Sequence, residues 1–315
     1  MTTAFVSHHD SPRHDTGWNH PDHQGRIPAL VRAVYRDTPA LLGHLLQVEA
    51  RPAGEEDLLL VHTPEYVRAV REAVARAAAE GRPLPFQAEV VVSDASWDAA
   101  VASVGSALTG VETVLAGEAR NAFCSARPPG RDAVADHAGG HSLFNSVAVA
   151  ARHLRDRRGA ERVLVVDWGA RAPLGTGAVL AADPGVLVLA VHQHPAPALA
   201  DESPADPGLR SFPVPAGAGG ADFALALAAA LEHAGAWRPE WILLGAGFDI
   251  LAGDPLGALA VTPREVYDLT LLLREAADRL CAGRLVSVLE GGYDPAATGK
   301  AVVQHLRALA GLEPA

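Results

Sequence analysis

The residues of this sequence that could do chemistry are concentrated in four short segments that contain glycine. They are RPPGRD (127–132), DWGARAPLGTG (167–177), GAGFDILAGDPLG (245–257) and EGGYD (290–294). Their carboxylates, arginines and tyrosine can bind cations, bind anions or donate protons. The second segment is unexpected, because it begins with Asp167 like a metal-binding loop and then has Gly169 and Arg171 where further ligands would be expected.

The spacing of apolar residues predicts the elements that position these segments. Short apolar runs alternate with longer stretches rich in alanine and leucine, which is typical of a mostly parallel sheet with helices on both faces. The predicted strands are Ala4–Val6, Asn121–Cys124, Arg162–Val166, Val186–Val191, Trp241–Gly245 and Leu285–Leu289. The predicted helices are Arg26–Val34, Pro64–Ala79, Ser96–Leu115, Ser142–Arg155, Ala221–Ala234, Thr262–Arg279 and Pro295–Leu309. Because loops at the carboxyl ends of parallel strands carry the chemistry of such folds, we expect the four segments to face one crevice.

The remaining segments indicate loops and one clear helix boundary. Pro195–Pro207 and Pro213–Gly220 are rich in Pro, Gly and Asp and are predicted to be long loops. Thr262, Pro263 and Glu265 have the cap, first-turn proline and third-position glutamate of a helix start. No low-complexity linker divides the sequence, so a single domain over residues 1–315 is predicted.

Composition excludes several functional classes. The chain has 315 residues, 49% of them hydrophobic, and a formal net charge of −11, which argues against binding to nucleic acid or to an anionic membrane surface. Its two cysteines, Cys124 and Cys281, lie far apart and outside any C-x-x-C spacing, so neither a disulfide framework nor a thiolate zinc site is expected. The sequence shows neither an export signal nor an apolar run of roughly 18 residues. A cytoplasmic protein is therefore predicted.

Seven segments together resemble the histone deacetylase and acetylpolyamine amidohydrolase superfamily, which includes acetoin-utilisation proteins. They are HDTGWNHPDHQGRIPAL (14–30), VHTPEYVRAV (61–70), RPPGRDAVADHAGGHSLFNSVAVAARHL (127–154), VLVVDWGARAPLGTG (163–177), AVHQHP (190–195), ILLGAGFDILAGDPLG (242–257) and VLEGGYDPAA (288–297). The resemblance implies the arginase/deacetylase fold, a three-layer αβα sandwich with a mainly parallel central sheet of about eight strands.

The resemblance also shows which functional residues differ. The family holds zinc with an Asp-x-His pair and a second Asp, and these positions fall on Gly169, Arg171 and Asp249. Glycine has no ligand atom and a guanidinium cannot coordinate a cation, so Asp249 is the sole zinc ligand retained and no zinc is expected. The family's tandem histidines fall on Arg131 and Asp132, which are poor proton shuttles at neutral pH.

The resemblance implies roles for further positions, some of which keep the family's residue and some of which do not. Tyr293 stands at the position of the oxyanion donor. Asp167 stands at a structural site for a monovalent cation, and K⁺ or Na⁺ there is left open because Ala190 replaces a serine hydroxyl. In the acyl tunnel, His141 after Gly140 replaces one aromatic wall, whereas Phe212 matches the opposite wall and Leu256 an apolar lining residue.

Several hypotheses follow for the altered site. Arg171 is expected to enter the metal position and pair with Asp249, and Arg131 to pair with Asp167 or Asp132. His141 with Asp249 is a weaker candidate for a displaced metal site, and His192 is interpreted as structural. His8, His9, His14, His20 and His23 are assigned surface or packing roles.

The leading functional hypothesis is a pseudoenzyme that has lost zinc-dependent deacetylation. It would bind a small anionic or acylated ligand, regulate an active paralogue or serve as a structural subunit. The alternative is a hydrolase of acetylated amines or related amides that works without zinc or with unconventional metal chemistry. In this hydrolase, Asp132 or His141 would be the base, and Tyr293 and the arginines would stabilise the oxyanion. Selection and decay of the altered residues remain equally open.

Overall fold

A parallel sheet of eight strands forms the centre of the protein. The computed structural model describes residues 2–87, 89–195 and 209–315. Across the sheet the strands follow the order β2-β1-β5-β10-β9-β6-β7-β8, and every neighbouring pair is parallel. The eight strands are β1 (Thr3–Ser7), β2 (Leu45–Glu49), β5 (Asn121–Cys124), β6 (Val163–Gly169), β7 (Val186–Gln193), β8 (Leu209–Val214), β9 (Trp241–Ala246) and β10 (Leu285–Leu289). A separate antiparallel pair consists of β3 (Leu84–Pro85) and β4 (Val91–Val92).

Helices cover both faces of the sheet and produce three layers. They are α1 (Arg26–Arg36), α2 (Thr38–Leu41), α3 (Glu55–Leu58), α4 (Pro64–Glu80), α5 (Ser96–Leu115), α6 (Ser146–Arg158), α7 (Leu174–Leu180), α8 (Gly220–Gly235), α9 (Pro263–Cys281) and α10 (Pro295–Ala310). The apolar sides of α1, α8, α9 and α10 pack on one face, and those of α5, α6 and α7 pack on the other. The fold class predicted from the sequence is therefore confirmed.

The predicted strands and helices are all present, with boundaries that shift by a few residues. The largest shift is at α6, which was predicted from Ser142 and begins at Ser146. Asn145 caps this helix, since its side chain accepts a hydrogen bond from the Ala148 backbone N–H at 3.0 Å. The predicted cap of α9 is confirmed, because Thr262 and Glu265 bond each other's backbone N–H groups.

The two edge strands of the sheet were not predicted. β2 is half exposed, and β8 contains Pro213, which was assigned to a loop. Proline is tolerated in a strand at a sheet edge, where no further neighbour requires its N–H. The other predicted loop, Pro195–Pro207, lies outside the described residues after Pro195.

Sheet order places the four charged segments beside one another. They follow β5, β10, β9 and β6, which are consecutive neighbours, and parallel strands end at the same edge of a sheet. The predicted convergence is thus confirmed.

No helix within the described ranges is both long and apolar enough to cross a membrane.

Candidate functional site

The buried guanidinium of Arg131 is the central feature of the crevice. Arg131 follows β5, its side chain is 4% exposed, and its Nη2 lies 2.8 Å from Oδ1 of Asp167 on β6. Nη2 also donates a hydrogen bond to the Arg171 carbonyl oxygen. This observation selects Asp167 from the two partners predicted for Arg131.

Gly169 provides the space that the Arg131 guanidinium fills. A Cβ atom at Gly169 would collide with the guanidinium, and one at Gly247 would lie 2.9 Å from Arg131 Nη1 and 2.6 Å from Asp249 Oδ1. The Arg131 guanidinium therefore occupies the space beside Gly169, where the family resemblance predicts a metal ligand. Its Nε and Nη1 atoms are buried and have no hydrogen-bond partner among the described residues.

The charges around Arg131 are mainly carboxylates. Burial opposes its charge, but Asp167 first and then Asp249, Asp132 and Glu290 together raise the pKa of Arg131 above its ordinary value. Burial raises the pKa of Asp167 well above its usual range, although Arg131 acts in the opposite direction. A permanent cation is thus enclosed by several acidic groups that compete for it.

Arg171 does not make the contact that we expected. Its Nη2 lies 3.1 Å from Asp132 Oδ2, whereas Asp249 accepts a hydrogen bond from the Ala170 backbone N–H at 3.1 Å. The predicted Arg171–Asp249 pair is therefore wrong. The physical reason is that Asp132 is the carboxylate that attracts Arg171 most strongly and is the main cause of its raised pKa, and the Arg171 side chain is 20% exposed.

Gly140 is required by the Asp132–Arg171 pair. It has a φ of +53°, and a Cβ atom there would collide with Asp132 Oδ2 and lie 3.0 Å from Arg171 Nη2. Asp132 raises the pKa of Arg171, and burial acts in the opposite direction. The residue at the second histidine position is therefore committed to an ion pair.

Tyr293 is held by contacts on both of its sides. Its backbone N–H donates to Asp254 Oδ2 at 2.6 Å, and the Arg26 guanidinium lies 4.8 Å from its ring centroid. The other oxygen of Asp254 accepts from the Leu256 backbone N–H at 2.9 Å, so one carboxylate positions both residues. Burial raises the pKa of Asp254 to about 6 and also raises the pKa of Tyr293, which keeps its hydroxyl protonated at neutral pH.

His141 lies beside Tyr293 with unsatisfied ring nitrogens. Its ring meets the Tyr293 ring edge-on at 5.5 Å between centroids and the His20 ring at 4.7 Å. It is 6% exposed, and neither ring nitrogen has a hydrogen-bond partner in the part of the chain that the structure describes. Burial lowers the pKa of His141 to about 4, so the ring is neutral at pH 7 and offers one donor and one acceptor.

Phe212 and Ala190 lie farther along the sheet. Phe212 is on edge strand β8, where it pairs in register with Val191 and packs against the main hydrophobic core. Its ring stacks on no other ring within the described residues, and its role as a tunnel wall stays a prediction. Ala190 pairs with Asp167 across β6 and β7, and a K⁺ or Na⁺ ion there also stays a prediction.

Residues of the N-terminal segment and Arg127 form a buried charged network. Arg26 and Arg127 both bond Asp22, and Arg127 also donates to the His14 carbonyl oxygen at 2.7 Å. Arg26 extends this network to the Gly292 and Glu290 carbonyl oxygens, each at 2.7 Å. The network therefore fixes the backbone that carries Tyr293.

The roles of Asp254 and Glu290 were not predicted from the sequence, although both residues lie within the four glycine-containing segments. Glu290 directly follows β10, is fully buried, and accepts hydrogen bonds from the Gly130 and Arg131 backbone N–H groups at 2.8 and 3.1 Å. It thereby holds the start of the loop that carries Arg131. A carboxylate immediately after a buried strand was the available signal.

The pH dependence of stability should report on Glu290. Burial raises the pKa of Glu290 from 4.5 to about 7, so the folded protein keeps a proton that the unfolded chain releases. Glu290 therefore contributes most to the free energy of unfolding below pH 4.5. This contribution, about 3 kcal/mol, is lost as the pH rises to about 7. Urea unfolding at pH 4.5 and pH 8 should show a smaller decline for Glu290→Gln than for the wild type. An equal decline would show that another group is responsible.

The donor set at the inherited metal position does not fit zinc. Asp249 supplies one carboxylate, Gly169 supplies no atom, and Arg171 is a permanent cation. The Arg131 guanidinium is a second cation in the same site, and Asp249 contributes to raising the pKa of both arginines. His141, His192 and Asp249 are not among the described groups whose ligand atoms converge within 4.8 Å.

Comparisons with known proteins agree with this architecture. A family model described as the histone deacetylase domain matches residues 20–309. The crystal structure of the HDA15 HD domain superposes on this chain with a TM-score of 0.87 and 27% sequence identity. The superposition covers 100% of this chain and 90% of the HDA15 domain chain.

Two curated relatives cover most of this chain. The human polyamine deacetylase HDAC10 is 35% identical over 99% of this chain and 48% of its own length. A histone deacetylase-like amidohydrolase of Pseudomonas aeruginosa is 34% identical over 91% of this chain and 76% of its own length. The chain thus spans about half the length of the first of these relatives.

Proposed function

Because this chain belongs to the histone deacetylase family, we propose that it is a pseudoenzyme whose crevice binds a small anionic or acylated ligand. The observation that carries the proposal is the Arg131 guanidinium, which fills the space at Gly169 and pairs with Asp167. A guanidinium supplies positive charge and hydrogen bonds, but it cannot bind and activate a water molecule as a metal does.

Unsatisfied polar atoms support ligand binding in this crevice. Arg131 Nε and Nη1 and both His141 ring nitrogens are buried without partners among the described residues. A buried polar group without a partner costs about 1–3 kcal/mol, which a bound ligand would recover. The tyrosine ring of Tyr293 forms one boundary of this polar region.

The charge of the accessible arginine favours an anion. Arg171 uses one terminal nitrogen for Asp132 and retains further N–H donors on a side chain that is 20% exposed. A carboxylate or phosphate group can accept two of these bonds at once. A cationic acetylated polyamine would instead meet two buried or half-buried cations, Arg131 and Arg171.

Ligand binding can be tested by calorimetry with succinate, inorganic phosphate and N-acetylputrescine. We expect the two anions to bind, and Arg171→Gln to weaken their binding about tenfold because it removes a charge-assisted hydrogen bond. Arg68→Gln is the matched control, since Arg68 is an exposed arginine on α4. Equal weakening by both variants, or a preference for N-acetylputrescine, would contradict an anion site at Arg171.

A working hydrolase is the second candidate function. It is favoured by the names of the two relatives, a polyamine deacetylase and a histone deacetylase-like amidohydrolase, and by Tyr293 beside His141. Asp132 is a poor base in it, because Arg171 already binds its carboxylate. Deacetylation that a chelator abolishes and that Asp249→Asn removes would establish this second function in place of the first.

A further inference from the structure

Two histidines and a glutamate meet at the carboxyl ends of β1 and β2, away from the crevice. His8 and His9 directly follow β1, and Glu49 is the last residue of β2. The strand register pairs Ser7 with Glu49, and the Ala50 backbone N–H donates to the Ser7 carbonyl oxygen at 2.8 Å. The sheet itself therefore holds the three side chains together.

The ligand atoms of this cluster are close enough to share one ion. One nitrogen from each of His8 and His9 and one carboxylate oxygen of Glu49 lie within 4.8 Å of one another. His9 Nδ1 is 3.1 Å from Glu49 Oε1, and the two imidazole rings are 4.3 Å apart. His8 is buried and fixed, whereas His9 and Glu49 are 70% and 72% exposed and can rotate to complete the geometry.

Asp10 supports the cluster from the side. Its Oδ2 lies 3.5 Å from His8 Nδ1 and 3.7 Å from His9 Nε2, while its Oδ1 is bound by Arg13 at 2.6 Å. A carboxylate beside the second nitrogen of a metal-binding histidine fixes its ring orientation and raises its basicity. Asp10 is placed to act on His9 in this way, whereas it orients His8 through its backbone N–H, which donates to His8 Nδ1 at 3.2 Å.

From this geometry we propose that His8, His9 and Glu49 bind a divalent transition-metal ion of the zinc type. Two imidazoles and one carboxylate match the ligands that zinc takes in proteins, and they leave a fourth position for water. The surface or packing roles predicted for His8 and His9 are extended by this assignment. The site is distinct from the metal position that the family resemblance predicts, since four strand spacings, about 19 Å, separate β1 from β6, which carries Gly169.

Titration of metal-stripped, tag-free protein with ZnCl₂ tests the site. We expect one zinc ion per chain, and a dissociation constant at least tenfold larger in both His9→Ala and Glu49→Gln. His137→Ala is the matched control, because His137 is likewise exposed and lies 2.8 Å from a carboxylate, Asp136, but has no second histidine in its cluster. This control and Asp249→Asn should both bind zinc as the wild type does.

Two results would overturn the assignment. The first is zinc binding by His9→Ala and Glu49→Gln with the affinity of the wild type. The second is zinc binding that His137→Ala weakens as much as His9→Ala does, because it would mean that exposed histidines bind zinc without selection. Loss of zinc binding in Asp249→Asn alone would place the ion in the crevice, and it would reject both this site and the proposed loss of zinc there.

Discussion

Replacement of Arg131 by leucine is expected to lower the free energy of unfolding by about 3–5 kcal/mol. The variant would leave Asp167 buried with no opposite charge, close to Asp249 and Glu290, because Arg131 is the cation that these groups share. Chemical denaturation at pH 7 measures this loss. The size of the effect follows from the depth of burial, since both side chains of the ion pair are less than 5% exposed.

Arg171→Leu is the matched control for this experiment. It removes another arginine of the same crevice, but the Arg171–Asp132 pair is 20% and 17% exposed, so a loss of about 1 kcal/mol is expected. The double variant Arg131→Leu/Asp167→Asn should recover part of the loss, because it removes the unpaired carboxylate as well. Equal losses for Arg131→Leu and Arg171→Leu would show that Arg131 is not the central cation.

Restoration of four family residues is expected to create strong zinc binding in the crevice. The variant combines Arg131→His, Asp132→His, Gly169→Asp and Arg171→His in a His9→Ala background, which removes the proposed peripheral site. It raises the number of protein ligands at the metal position from one, Asp249, to three and removes two cations. Zinc affinity should rise by about three orders of magnitude or more relative to His9→Ala alone.

Gly169→Asp in the same background is the control for restoration. It adds a carboxylate but leaves the Arg131 guanidinium in the space that the new side chain requires. We therefore expect no comparable gain in zinc affinity, as measured by competition with a chromophoric chelator. If the four-residue variant folds but shows no gain in zinc affinity, the altered positions are not what prevents zinc binding.

The interior of the fold was predictable from sequence, and its edges were not. Central strands such as β9 and β10 are buried along their whole length and appear as continuous apolar runs. β2 and β8 each have one neighbour, so their residues are partly exposed and their hydrophobic pattern is weak. The boundary of α6 was misplaced because the cap residue, Asn145, was not recognised.

The position of the candidate site was also predictable, but its pairing pattern was not. Strand ends indicated which segments converge, and comparison with the family's motifs identified Gly169, Arg171 and Asp249. Sequence cannot show which carboxylate each arginine binds, because several carboxylates converge at neighbouring strand ends. The outcome depends on the route that each loop takes, and Glu290 fixes the loop of Arg131 through two backbone bonds.

The contact between Gly169 and Arg131 also has a consequence for ancestry. Any side chain at position 169 would collide with the guanidinium, so an ancestor with aspartate there could not accommodate arginine at position 131 in its present orientation. An ancestor with both residues would therefore need a different orientation of the arginine, so the effect of a substitution at either position depends on the residue at the other. This local epistasis couples positions 131 and 169 and constrains the order in which they can change.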